Sequence, residues 1–253
     1  MSLVDTHCHI HDSEFDFDAT EVIERARRAG IESMICVGTS ELSSRQAIDL
    51  SLKESSIFAS IGVHPHDAMG GYGEIDVLAK SHTSGDRLVA IGEIGLDYFY
   101  NHSPREAQTT ALESQLQTAL DCDLPVIFHV REAFDDFWPI FDNFTGLRGV
   151  LHSFTDDVRN LEGALSRDLY VGVNGISLFT KDEAQQLLYD QVPIGKLLFE
   201  TDAPYLTPPP YRGKINEPAY VEVIAEYHAQ RRGISLAEIA DATTTNAKAL
   251  FAL

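Results

Sequence analysis

Basic side chains are scarce in this sequence: 19 Lys and Arg stand against 39 Asp and Glu, a formal net charge of −20 with histidine neutral. A protein that coats long nucleic acid along its backbone presents a basic face. No basic run occurs here, so an anionic substrate must be gripped locally, by metal ions and a few cationic side chains. Cysteine is scarce as well. Cys8, Cys36 and Cys122 are odd in number, widely spaced and form no C-x-x-C pair. That excludes a disulfide framework and a cysteine zinc knuckle, and the three read as reduced thiols. No stretch approaches the ~20 apolar residues of a membrane span, so no membrane partner is expected. The first residues carry neither a basic leader nor an apolar signal core, which points to a cytoplasmic location. Also missing is the Gly-rich phosphate turn that follows the first strand of an open doubly wound sheet. His7-Cys8-His9 stands in that place.

What is present is a regular alternation. Short apolar, β-rich runs fall at residues 3–7, 33–38, 57–63, 88–94, 125–130, 149–154, 169–173 and 196–200. Helix-like stretches lie between them, among them 20–29, 41–53, 104–121 and 181–189. Ser103-Pro104 and Thr155-Asp156-Asp157 carry helix-start chemistry. Strands separated in this way need crossover helices and pair in parallel. Two further helices are expected near 218–232 and 235–250, after a Pro-rich loop at 207–210. Eight such units in 253 residues suit one TIM barrel. The expectation is an α/β chain, with residues 1–253 forming a single (β/α)8 domain with extra C-terminal helices.

In such a barrel, chemistry sits where strands end. His7 and His9 close the first expected strand, and His64 and His66 the third. Glu93 closes the fourth, His129 the fifth, His152 the sixth and Asp202 the eighth. Six of the ten histidines fall at strand ends, whereas His11, His82, His102 and His228 suit ordinary surface-loop positions. Alternate strand residues share a face, so His7 and His9 point together into the barrel mouth while Cys8 points away. Asp5 shares their parity one step deeper, where it could accept a proton from a ligand imidazole. Glu200 stands in the same relation to Asp202, either supporting it or making contact itself.

Four histidines and two carboxylates exceed the needs of one tetrahedral ion. Two metal ions roughly 3.5–4 Å apart would use all six, with Glu93 the natural bridge and hydroxide generated between them. The expected ligands are therefore His7, His9, Glu93, His129, His152 and Asp202. The donor set suits zinc, manganese or iron and holds magnesium less selectively. Asp202 could also orient or deprotonate the attacking water.

Several segments together resemble the TatD family of metal-dependent deoxyribonucleases. They are Val4-Asp5-Thr6-His7-Cys8-His9, Gly62-Val63-His64-Pro65-His66, Gly92-Glu93-Ile94-Gly95-Leu96-Asp97-Tyr98, Pro125-Val126-Ile127-Phe128-His129, Leu151-His152-Ser153-Phe154, Glu200-Thr201-Asp202-Ala203-Pro204-Tyr205-Leu206 and Gly213-Lys214-Ile215-Asn216-Glu217-Pro218. The resemblance runs in order along nearly the whole chain. It implies a TIM barrel of the amidohydrolase superfamily, a divalent metal centre on the same six ligands, and phosphodiester hydrolysis of DNA. Asp156 and Ile215 depart from the family pattern near the mouth and bear on substrate preference. The leading expectation is an exonuclease with Asp202 and Glu93 as catalytic carboxylates. His64, His66, Arg131 and Lys214 would hold phosphate oxygens, with Arg131 alternatively paired to Glu132 or Asp135. Tyr98 and Tyr205 either stack on a base or pack on the rim of the mouth. The partner expected is DNA with single-stranded or frayed ends, and the chain itself a monomer or weak oligomer. The competing expectation is an ester or amide hydrolase of the same superfamily, for example on aminoacyl esters. Its members often bridge their metals with a modified lysine on the fourth strand, where this chain has Glu93.

Overall fold

A computed structural model describes residues 2–12, 18–82, 87–100 and 102–253. Eight strands form one sheet in chain order: β1 (Leu3–Cys8), β2 (Ile31–Val37), β3 (Ile57–Ile61), β4 (Leu88–Asp97), β5 (Val126–Arg131), β6 (Gly149–Leu151), β7 (Tyr170–Val173) and β8 (Leu197–Phe199). Between them run α1 (Ala19–Arg28), α2 (Glu41–Lys53), α3 (Gly73–Ser81), α4 (Arg105–Asp121), α5 (Phe134–Asp142), α6 (Val158–Ser166), α7 (Ile176–Phe179) and α8 (Glu183–Gln191). Two C-terminal helices follow, α9 (Val221–Arg232) and α10 (Leu236–Phe251). This is the (β/α)8 barrel fold with extra C-terminal helices that the alternation predicts. Among the described residues, no helix is long and apolar enough to cross a membrane.

The chain divides into two compact units, Met1–Ile35 with Ser153–Leu253, and Cys36–His152. In the first, β1 is buried at every position, as a strand covered on both faces must be. It continues onto the end of β8: the Asp202 N–H donates to the His7 carbonyl (2.9 Å) and the His9 N–H to that of Ala203 (2.7 Å). Asp157 caps α6, as expected, by accepting from the Asn160 N–H. A Ser235/Glu238 capping box starts α10. His228 is not on a surface loop. It belongs to the buried stripe Val221, Ile224, Ala225, His228 and Ala229 of α9, whose spacing is that of one helix face. Its ring lies 2.9 Å from the Ser177 hydroxyl.

In the second unit β3 to β6 pair in parallel. The β4–β5 register slips between Ile91 and Ile94, then runs Ile94 to Phe128, Gly95 to His129 and Asp97 to Arg131. β4 thus extends three residues past its expected end. Gly95 permits this, because a Cβ there would stand 1.8 Å from the His129 carbonyl oxygen. Glycine and aspartate after an apolar run read as a turn in sequence; here they are strand. α4 begins one residue later than expected, with Pro104 at its cap and no side-chain capping bond. Ser103 is buried and its hydroxyl donates to the His66 carbonyl instead (2.7 Å).

Candidate metal centre

Each unit carries one cluster of histidines and carboxylates. In the first unit, strand parity brings His7 and His9 to one side of β1, with their Nε2 atoms 3.0 Å apart. Asp202, at the end of β8, places Oδ1 3.6 Å from the His7 Nε2 and 3.3 Å from that of His9. Donors about 2.0–2.2 Å from a tetrahedral ion stand roughly 3.4 Å from one another. The spacing and the donor types fit a divalent cation. The intervening Cys8 turns away, its thiol directed at the Ile35 carbonyl (3.4 Å).

One buried carboxylate, Asp5, braces this group. Asp5 accepts from the Thr201 N–H (2.9 Å), the Thr201 hydroxyl (2.5 Å) and the His7 N–H (3.3 Å). It therefore ties β1 to the residue before Asp202 through main chain and hydroxyl. Burial pushes its carboxyl up to about 8, against the pull of those hydrogen bonds. Glu200 is also buried and accepts from the Ser153 N–H (2.5 Å). Gly172 on β7 makes room for it: a Cβ there would come within 2.5 Å of Glu200 Oε2.

The cluster of the second unit is larger. Glu93 Oε1 lies 2.7 Å from His129 Nδ1, 3.0 Å from His152 Nε2 and 3.4 Å from His64 Nε2. Glu93 is set by the β4 slip and by its own N–H, which donates to the Gly38 carbonyl (2.9 Å). His64 follows β3 at the start of a 3-10 turn (Pro65–Gly70), where its Nδ1 accepts from the His66 N–H. It is thus a member of the Glu93 group, whereas the sequence suggests a phosphate-holding residue. Burial lowers its pKa to about 4, helped by neighbouring His129.

Asp97 is the functional candidate that the sequence reading left without a role. It is fully buried, and its Oδ2 lies 3.0 Å from both His129 Nε2 and His66 Nε2. Its Oδ1 accepts from the N–H groups of Phe99 (3.0 Å) and Tyr100 (2.9 Å). Burial alone would raise its pKa, yet the bonds from His129, Tyr100 and His66 hold it well below the usual carboxylate range. His129 is thereby fixed at both ring nitrogens, Nδ1 towards Glu93 and Nε2 towards Asp97. Outer carboxylates orient metal-binding imidazoles in this way. The donor chemistry again fits a divalent cation.

The remaining residues singled out by sequence fall as follows. Arg131, exposed, holds its guanidinium 4.1 Å above the Phe99 ring and 4.8 Å from that of Tyr100. Tyr98 is engaged already, its hydroxyl bonded to Asp136 (2.8 Å) and its ring under Arg105 (3.9 Å). Tyr205 is half exposed, with its ring 6.3 Å from that of His9. Lys214 is exposed, 5.7 Å from the Tyr211 ring.

Residues 4–252 match the profile of the TatD related DNases. The chain belongs to the TatD family. It is 35% identical over 251 residues to the Bacillus subtilis protein named "Uncharacterized metal-dependent hydrolase YabD", covering 98% of each chain. It is 36% identical over 262 residues to the Erwinia tasmaniensis protein named "3'-5' ssDNA/RNA exonuclease TatD", covering 99% of this chain and 100% of that one. Among solved structures, the TatD homologue YjjV of Escherichia coli superposes with a TM-score of 0.92 at 26% identity, over 99% of this chain and 98% of the other. The present TatD-family chain is a metal-dependent hydrolase, as the YabD relative is named.

Proposed function

We propose that this TatD-family hydrolase cleaves phosphodiester bonds at the ends of single-stranded nucleic acid, using two divalent cations per chain. One cation is assigned to His7, His9 and Asp202, the other to Glu93, His129 and His152 with His64 beside them. The observation that carries the reading is Glu93, one of whose oxygens stands within 3.4 Å of three imidazole nitrogens. Buried groups of that kind are held together by a cation or by shared protons. The choice of substrate rests on the activity named for the Erwinia relative.

When bound, the ions supply Lewis acidity to a phosphoryl oxygen and lower the pKa of a water molecule. The chain's own residues do the rest. Asp202, part-exposed at 15% of its side chain, accepts the proton of the attacking water. Asp97, accepting from His129 Nε2–H, keeps Nδ1 as the unprotonated, metal-binding nitrogen on the Glu93 side. His66 lies at the open edge of the second group, 28% exposed, where it reaches a phosphate oxygen. Arg131 and Lys214 supply positive charge to neighbouring phosphates. With a net charge of −20, only a few phosphates are held, and a free end is favoured over continuous duplex.

The test is a metal-loaded assay on end-labelled linear single-stranded DNA, a covalently closed circular single strand, and an aminoacyl ester. Shortening of the linear strand with intact circles and intact ester is the expected result. Ester cleavage without any shortening of the strand would overturn the reading.

A further inference from the structure

Beside the second metal group lies a feature that hydrolysis itself does not use. Phe99 and Tyr100 are adjacent, 50% and 49% exposed, with ring centroids 4.7 Å apart and edge to face. Arg131 spans both rings, and among the described residues no carboxylate pairs with its guanidinium. Large aromatic rings left half in water forgo hydrophobic stabilisation, and such exposed patches usually mark binding surfaces.

The rings are also held firmly. Asp97 Oδ1 accepts from both of their N–H groups. The Tyr98 N–H donates to the Arg131 carbonyl (3.0 Å), and the Tyr98 hydroxyl is anchored on Asp136. Asp97 is the same carboxylate that orients His129 and His66. The His66 ring lies 5.5 Å from that of Tyr100. One side chain thus fixes both the metal-binding imidazole and the aromatic pair.

We propose that Phe99 and Tyr100 form a subsite that stacks on one unpaired nucleobase of the strand being cleaved, with Arg131 beside the phosphate of that nucleotide. The choice of ligand rests on the nuclease reading above. A base within duplex is stacked on its neighbours and cannot offer a face, so this subsite selects unpaired strand. It is sequence-tolerant, because every base has such a face.

Two measurements test it. The first places an abasic residue at each of the last three positions of a short single strand. Wild-type protein should show a KM raised roughly tenfold at one of those positions. In the double variant Phe99→Leu/Tyr100→Leu the intact strand should already show the higher KM, and the abasic penalty should shrink to less than about twofold, with kcat moved less than KM. Equal penalties in the two proteins would overturn the subsite. The second measurement needs no cleavage. 2-Aminopurine, whose fluorescence falls on stacking, is scanned through the same positions with wild type and with Tyr100→Leu alone. Quenching at one position in the wild type, weakened in the variant, supports the subsite. Cleavage of the intact strand with no quenching anywhere would discard the subsite and keep the nuclease reading. Quenching without cleavage would do the reverse.

Discussion

The two histidine–carboxylate groups are built differently. The cluster of the first unit is small: two histidines of shared parity at the end of β1, one aspartate after β8, and a brace from Asp5. That of the second unit gathers Glu93 and Asp97 from β4 with His64, His66, His129 and His152 from the ends of three other strands. In the first, the ligands keep their places because β1 is hydrogen-bonded onto the end of β8. In the second they are positioned by one another, with His129 clamped between two carboxylates. Loss of the Asp202 carboxylate should therefore act mainly on chemistry, and loss of the Asp97 clamp mainly on metal affinity.

The largest effect is expected from Asp202→Asn. Asp202 adopts a left-handed backbone (φ 57°), a conformation that asparagine tolerates better than most residues. The fold and much of the metal should survive. The amide cannot accept a proton, so kcat at saturating metal should fall by about 10²–10⁴. Near-wild-type turnover under those conditions would mean that the first group does not supply the base.

Asp97→Asn comes next and tests the other half of the contrast. The asparagine oxygen can still accept from Phe99 and Tyr100, but its NH2 would face His129 Nε2. The imidazole must then present the wrong tautomer towards Glu93. Affinity for one of the two ions should drop roughly 10- to 100-fold, leaving the other unchanged. Titration with manganese, read alongside His9→Ala as the variant damaged in the first group, resolves the two steps. Loss of both ions in Asp97→Asn would break the distinction between the groups. In the same experiment Glu93→Gln should remove the second group's ion altogether.

The same contrast explains what the sequence revealed. His7-Cys8-His9 is legible because strand parity needs only three residues in a row, and the eight-fold alternation was legible because buried parallel strands are short, apolar and separated by helices. The second group was only partly so. Glu93, His129 and His152 stand at strand ends, but Asp97 lies beyond where β4 appears to stop. Gly92 and Gly95 disguise a strand that bends and pairs closely. His64 was visible as a strand-end histidine, yet its closeness to Glu93 depends on the β4 slip, which leaves no periodic signal. α5 follows from the eightfold alternation, but its bounds do not, because Pro139 and a run of aromatics obscure the helical pattern. His228 falls inside the helix expected at 218–232, and its place on the buried stripe with Val221, Ile224 and Ala225 overrides the surface-loop reading.

The smallest expected effect concerns pH in the absence of metal, and it probes the clamp on His129 directly. Burial opposes charge on this ring, but hydrogen bonds to Asp97 and Glu93 outweigh it, so the folded-state pKa is raised above the ordinary value. The folded protein then holds this proton more tightly than the unfolded chain does. The stabilisation is fully present below the unfolded value of about 6.5 and is lost as pH rises through the raised folded value. In excess chelator, the melting temperature of wild type relative to His129→Gln should be most favourable near pH ~5.5 and decline towards pH ~9. For a chain of this size, each kcal/mol corresponds to roughly 2–4 °C, so the shift is measurable. Bound metal must reverse the sign, because a ligand imidazole is neutral and binding releases the proton. With saturating manganese the wild-type advantage should grow as pH rises. A difference that stays constant with pH in chelator would mean that His129 carries no extra proton between its carboxylates, and the second group would then be no more tightly clamped than the first.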